Sequence, residues 1–152
     1  MRLFLVVLSL ISTAALAADA EKKKTQVPSV TPAFDDADKT RAKIRKMTTT
    51  QACEELGRLL RIPAKKRPDY APEAIMFISE RFLGRGDTFG NIAMRVVEIG
   101  MSECGLIASL GRADRVNETV TRLGTRKQFV YEGPTLYNFI YTENGTVTSY
   151  QR

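Results

Sequence analysis

The chain has no histidine. That removes Ser-His and Cys-His nucleophilic pairs and the commonest zinc ligand. Few side chains remain that do chemistry. Ser102 has no base to activate it and no G-x-S-x-G around it, and its position suits a helix N-cap. Glu54, Glu55 and Glu73 are the carboxylates that a histidine-free glycosidase would need, and nothing beyond their presence pairs them. The acidic run Asp35-Asp36-Ala37-Asp38 lacks the spacing of a calcium loop. Gly84, Gly86 and Gly90 have no strand before them, as a phosphate-binding loop requires. Arg85-Gly86-Asp87 spells a tripeptide of adhesion ligands, but Asp87 or Thr88 is better placed to cap the next helix. No catalytic, cofactor-binding or metal-binding residue is expected.

Cys53 and Cys104 are the only cysteines. Outside the cytosol an even pair is expected to bond, and the alternative is two buried thiols. The start of the chain decides the compartment. Met1-Arg2, the apolar run Leu3–Ile11 and the small-residue site Ala15-Leu16-Ala17 read as a secretory signal peptide cut after Ala17. The run is too short to span a bilayer. The product is therefore expected to be exported, soluble, and periplasmic or secreted, with Cys53 and Cys104 joined.

Helices must hold the two cysteines. Residues 18–46 combine Lys22-Lys23-Lys24, Pro28, Pro32 and the Asp cluster with few apolar positions, so they read as a disordered linker. From Thr48 to Ile62, Ala52, Cys53, Leu56, Leu59 and Leu60 form one apolar stripe behind a T-x-x-Q capping box, and Pro63 stops the helix. A second helix opens at Pro72, buries Ile75, Ile78 and Phe82, and ends at Gly84. A third carries Phe89, Ile92, Ala93, Val96 and Val97 to about Glu98, with an extended last turn as the alternative. Ser102 then caps a short helix from Glu103 to Leu110, closed by Gly111.

Beyond Val116 the period changes to that of strands. Val116–Thr121, Arg126–Tyr131, Leu136–Thr142 and Thr146–Gln151 are separated by turn residues, and Asn144-Gly145 marks a tight hairpin. The fold expected is α+β: three to four short helices packed on a three- to four-stranded antiparallel meander. A two-residue turn sets Tyr141 opposite Thr148 and Phe139 opposite Tyr150. Tyr137, Phe139, Tyr141 and Tyr150 then share one face, expected to pack on the helices with Phe129 and Tyr131, or else to form a partner surface.

The run I-G-M-S from Ile99, S-L-G-x-A-D-R-V-N from Ser109, T-x-x-G-T-R-K-Q-F-V-Y from Thr121 and Y-x-F-I-Y-x-E-N-G-x-V-T-S-Y-Q from Tyr137 resembles the SmpA/OmlA (BamE-like) family of small envelope domains. Ala113 stands where that family has proline, and Phe129 where it often has tryptophan. The resemblance covers residues 99–152 and leaves 47–98 as a helical extension. It implies a helix and β-meander that support envelope assembly by protein binding, without enzymatic activity. A related unit occurs in secreted inhibitors, so an inhibitor or immunity protein is the alternative. The net charge of +6 falls by one when Arg2 leaves with the leader. In an exported chain that excess points away from nucleic acid. Weak contact of the Lys22–Lys24 tail with anionic lipid or cell-wall polymer is expected, beside an envelope protein as main partner.

Overall fold

The computed structural model describes residues 32–152. The expected leader at 1–17 and the Lys22–Lys24 run lie outside the described residues. The elements are α1 (Pro32–Arg45), α2 (Thr49–Arg61), α3 (Ala71–Phe82), α4 (Phe89–Met94), α5 (Glu103–Leu110), β1 (Arg115–Thr121), β2 (Gly124–Val130), β3 (Phe139–Glu143) and β4 (Thr146–Gln151). The strands form one antiparallel sheet in the order β1-β2-β3-β4. The fold is α+β, with helices packed on a meander.

Helix α2 is the centre of the helical layer and packs on α3, α4 and α5. Its start follows from two residues. The Thr48 hydroxyl accepts from the Gln51 N–H at 3.2 Å, and Gln51 Oε1 accepts from the Thr48 N–H at 2.9 Å. Its apolar stripe is buried: Leu56 and Leu59 are fully covered, and Cys53 lies between them and α5. Cys53 and Cys104 form a disulfide. One turn on, Gly57 meets Ala108 backbone to backbone. Both contacts advance one turn along each helix, so α2 and α5 run in the same direction.

Residues 32–45 form α1 instead of continuing as linker, which corrects the expectation for that stretch. The helix anchors through one apolar residue and several cations. Ile44 is buried in the core. The Arg41 guanidinium donates to Glu73 on α3, Lys43 sits 5.6 Å from the Tyr70 ring centre, and Arg45 sits 5.6 Å from that of Phe77. Apolar periodicity is blind to such contacts, which explains why the segment reads as unstructured.

Helix α4 ends at Met94, short of Glu98. Arg95 turns left-handed with φ 61°, and the N–H groups of Arg95 and Val96 return to Ile92 and Asn91. Val96 and Val97 then lie outside any helix or strand, in keeping with the low helix preference of β-branched residues. Val97 is locked there because its N–H donates to the Tyr137 hydroxyl at 3.1 Å. Third-strand pairing also begins later than Leu136. Thr135 Oγ1 accepts from the Tyr137 N–H at 3.3 Å, a local turn that leaves Leu136 exposed.

Asp87 and Ser102 are a structural pair. The Asp87 carboxylate accepts from the N–H groups of Gly84 and Ser102 and from the Ser102 hydroxyl. Ser102 Oγ in turn accepts from Gly105 N–H at 3.0 Å, the N-cap bond of α5. Thr88 caps α4 in the same way. The acid of the Arg85-Gly86-Asp87 tripeptide therefore points into the fold.

Candidate partner surface

The sheet has two unlike edges. At β4 the backbone of residues 100–103 lies alongside: Gly100 N–H donates to Val147 O at 2.8 Å, Val147 N–H to Met101 O at 2.8 Å, and Glu103 N–H to Gly145 O at 2.9 Å. At β1 no described segment pairs with the outer edge. All seven residues of β1 are exposed.

The reason is the size of the layer above. Helix α5 has eight residues, about 12 Å of helix, whereas four strands span roughly 15 Å centre to centre. Its polar ties show where it lies. Glu103 accepts from Lys127 on β2 at 2.8 Å and from Thr142 on β3 at 2.7 Å. Phe129, Ile140 and Val147 beneath it are buried. Val116, Glu118 and Val120 share that inner face, being paired with Phe129, Lys127 and Thr125, yet all three stay exposed, Val116 at the border of the helices. Val120 is 70% exposed, and Leu123 at the hairpin tip is 90% exposed. A groove lined by Thr50, Ile107, Ala113, Val116 and Phe129 runs along the root of β1.

The expected four-ring face does not form. Glu143 faces Thr146 as the Asn144-Gly145 turn requires, and Thr142 faces Val147. An extra residue then enters β4, so Tyr141 faces Ser149 and Tyr150 faces Ile140. One residue of slip exchanges the faces. Tyr150 turns to the core side, where its ring meets that of Tyr137 edge-to-face at 5.1 Å. Tyr137 is buried, with Phe129 and Tyr131 also in the core. Phe139 and Tyr141, both half-buried, lie on the opposite face. There Asn117 Nδ2 donates to Gln128 Oε1 at 2.8 Å, and Gln128 Nε2 to the Tyr141 hydroxyl at 3.0 Å. Arg126 pairs with Glu143 at 3.0 Å beside them, in a shallow groove of about 410 Å³.

This division gives a direct test. Ile140→Ala empties a fully buried site and is expected to cost about 2–5 kcal/mol. Tyr141→Ala removes only a cross-strand pair on the open face and is expected to cost roughly 1 kcal/mol or less. Urea unfolding of the two variants decides: equal losses would refute the assignment of faces.

The three acidic candidates do not assemble into a general acid and base. Glu55 is bonded by Arg58 at 2.7 Å and by the Tyr70 hydroxyl at 3.0 Å. The hydrogen bonds from Arg58 are the main cause that holds its carboxyl below the usual range, against the opposing effect of burial. A glutamate kept ionised in this way does not donate a proton near neutral pH. Glu73 is engaged with Arg41, and Glu54 is half-buried on α2 beside Glu55.

Among the described residues, no helix is long and apolar enough to cross a membrane. No protein-family model, no curated protein and no solved structure matches this chain.

Proposed function

We propose that this is an exported, non-enzymatic envelope protein that binds another protein by accepting a strand along β1. The observation that supports the reading is a seven-residue edge strand, exposed throughout and carrying uncovered valines. Exposed edges of this kind are normally blunted by proline, inward charge or a covering loop. Here the β4 edge is covered by residues 100–103, whereas β1 carries one inward charge, Glu118, and no described segment covers its outer edge. An added strand takes affinity from backbone bonds and specificity from alternate side chains, for which Val116 and Val120 offer apolar contact. The leader-like start and the Cys53–Cys104 bond fit an oxidising compartment. The SmpA/OmlA-like residues lie across the same sheet, and that resemblance favours an assembly role.

Photo-crosslinking tests it. A photoreactive residue placed at Val120 is expected to give a discrete heavier adduct in the envelope, while the same residue at the exposed Glu80 of α3 gives none. Val120→Pro is expected to abolish the adduct formed from a probe at Leu123, because proline cannot pair along an edge. Adducts of equal yield from Val120 and Glu80, or none from β1, reject the reading. A soluble hydrolase in the adduct instead of a membrane assembly component would mark the protein as an inhibitor.

A further inference from the structure

The end of α5 is closed in an unusual way. The last four carbonyls of a helix have no partner within it. In α5 the Gly111 N–H meets Ile107 O, and the carbonyls after it are met by side chains from elsewhere in the fold. Arg61, the last residue of α2, donates through Nη1 to Ala108 O at 2.9 Å and Ser109 O at 3.5 Å. Arg95, the left-handed cap of α4, donates through Nη2 to Leu110 O at 3.3 Å. The Tyr131 hydroxyl donates to Gly111 O at 3.1 Å. Two guanidinium groups thus sit on successive carbonyls, near enough for the charge of Arg95 to act on Arg61.

Their charges are not balanced by acids. The ion pairs of the described residues involve Lys39, Arg41, Arg58, Arg126 and Lys127, and none involves Arg61 or Arg95. Arg61 holds its proton less tightly than an ordinary arginine, first because the helix end partly desolvates it and second because of the charge of Arg95. Among the described residues no carboxylate forms an ion pair with either arginine, and what opposes them at the helix end is the dipole, about half an elementary charge at a C-terminus. Two cations against half a negative charge exceed what capping needs, since Gly111 already ends the helix in a positive-φ conformation. Each guanidinium has five N–H donors in a planar fork and uses a single nitrogen here. Nε and the second Nη of each are not engaged with the described residues.

We propose that Arg61 and Arg95 together bind a phosphate group. Phosphate suits the pair better than a carboxylate does. It presents oxygens to two forks at once, and a free phosphate or monoester also carries more than one negative charge near neutral pH, whereas a carboxylate satisfies one fork. Arg67, which caps α2 by donating to the carbonyls of Leu59, Leu60 and Ile62, adds positive charge at the same end of the parallel α2–α5 pair. This site does not rest on the strand-addition reading, because β1 takes no part in it. The phosphate belongs either to an anionic lipid headgroup or to a free or polymer-borne phosphate.

The test uses the full chain as recovered from the expressing cell, with its disulfide intact. Arginine Nε–Hε signals are followed by NMR during titration with inorganic phosphate and, separately, with vesicles of phosphatidylglycerol in phosphatidylcholine. Phosphate is expected to shift the Arg61 and Arg95 signals saturably and to leave Arg122, at the β-hairpin tip, unmoved. Arg95→Gln and Arg61→Gln are each expected to weaken binding about tenfold or more, the loss of a charge-assisted contact. Shifts with both probes identify a general phosphate site, and shifts with vesicles alone identify a lipid headgroup. The wild-type titration stands even where a variant fails to fold. Two results overturn the proposal: Arg61 and Arg95 signals unmoved by either probe at millimolar concentration, or vesicle binding abolished by replacing Lys22, Lys23 and Lys24 with glutamine and unaffected at Arg61 and Arg95.

Discussion

Opening the Cys53–Cys104 bond is expected to lower stability by about 4 kcal/mol. The cysteines are 51 residues apart, so the bond closes a loop that contains α3, α4 and most of α2. On the chain-entropy account, a loop of that length frees the denatured state by this amount when the bond is opened. Both cysteines are buried, so replacement by alanine removes the bond without exposing a new polar group. For a domain of ordinary stability, 5–15 kcal/mol, the loss is a large fraction of the total. The measurement is the urea midpoint of the double variant Cys53→Ala/Cys104→Ala beside that of the wild type. An unchanged midpoint would refute the claim that the bond constrains the fold. Slow reduction of the native protein, at the rate of its unfolding, is expected as well, because reductant has no access to the buried sulfurs.

What the amino-acid order made legible was local. T-x-x-Q at Thr48, Ser102 before Glu103 and Asn144-Gly145 each act through bonds spanning two or three residues, and the structure forms them as expected. Features set by distant partners were not legible. Helix α1 is held by Glu73, Tyr70 and Phe77, which follow it by about thirty residues. Arg95 leaves the helical region where its side chain reaches Leu110. The bulge in β4 falls inside a run of alternating Thr and Val with no glycine to mark it, and it moved Tyr150 to the core face. The same tertiary control hid the open β1 edge. Val116 and Val120 read as an ordinary inner row, and only the short reach of α5 leaves them bare. The Arg61–Arg95 pair joins residues 34 positions apart in the chain, and no spacing rule announces it.

Gly57→Ala is expected to destabilise the protein by about 3 kcal/mol or more, at the upper end of overpacking costs. By helix propensity alone the substitution would be favourable by about 1 kcal/mol, so the two effects predict opposite signs. The geometry decides between them. A Cβ on Gly57 would lie 1.9 Å from the Ala108 carbonyl oxygen and 2.7 Å from its carbon. Both are backbone atoms, so no rotamer change relieves the overlap. Relief requires α2 and α5 to separate by more than an ångström, and the disulfide one turn away opposes that movement. Separation would also stretch the bonds of Arg61 to Ala108 and Ser109. The two constraints are coupled, so their costs do not add. In the Cys53→Ala/Cys104→Ala background the helices part more easily, and Gly57→Ala is expected to cost less than in the wild type. A double-mutant cycle by urea unfolding measures the difference. A stabilising Gly57→Ala would show that the helices do not approach this closely. Equal costs in the two backgrounds would show that the disulfide does not hold them together at Gly57.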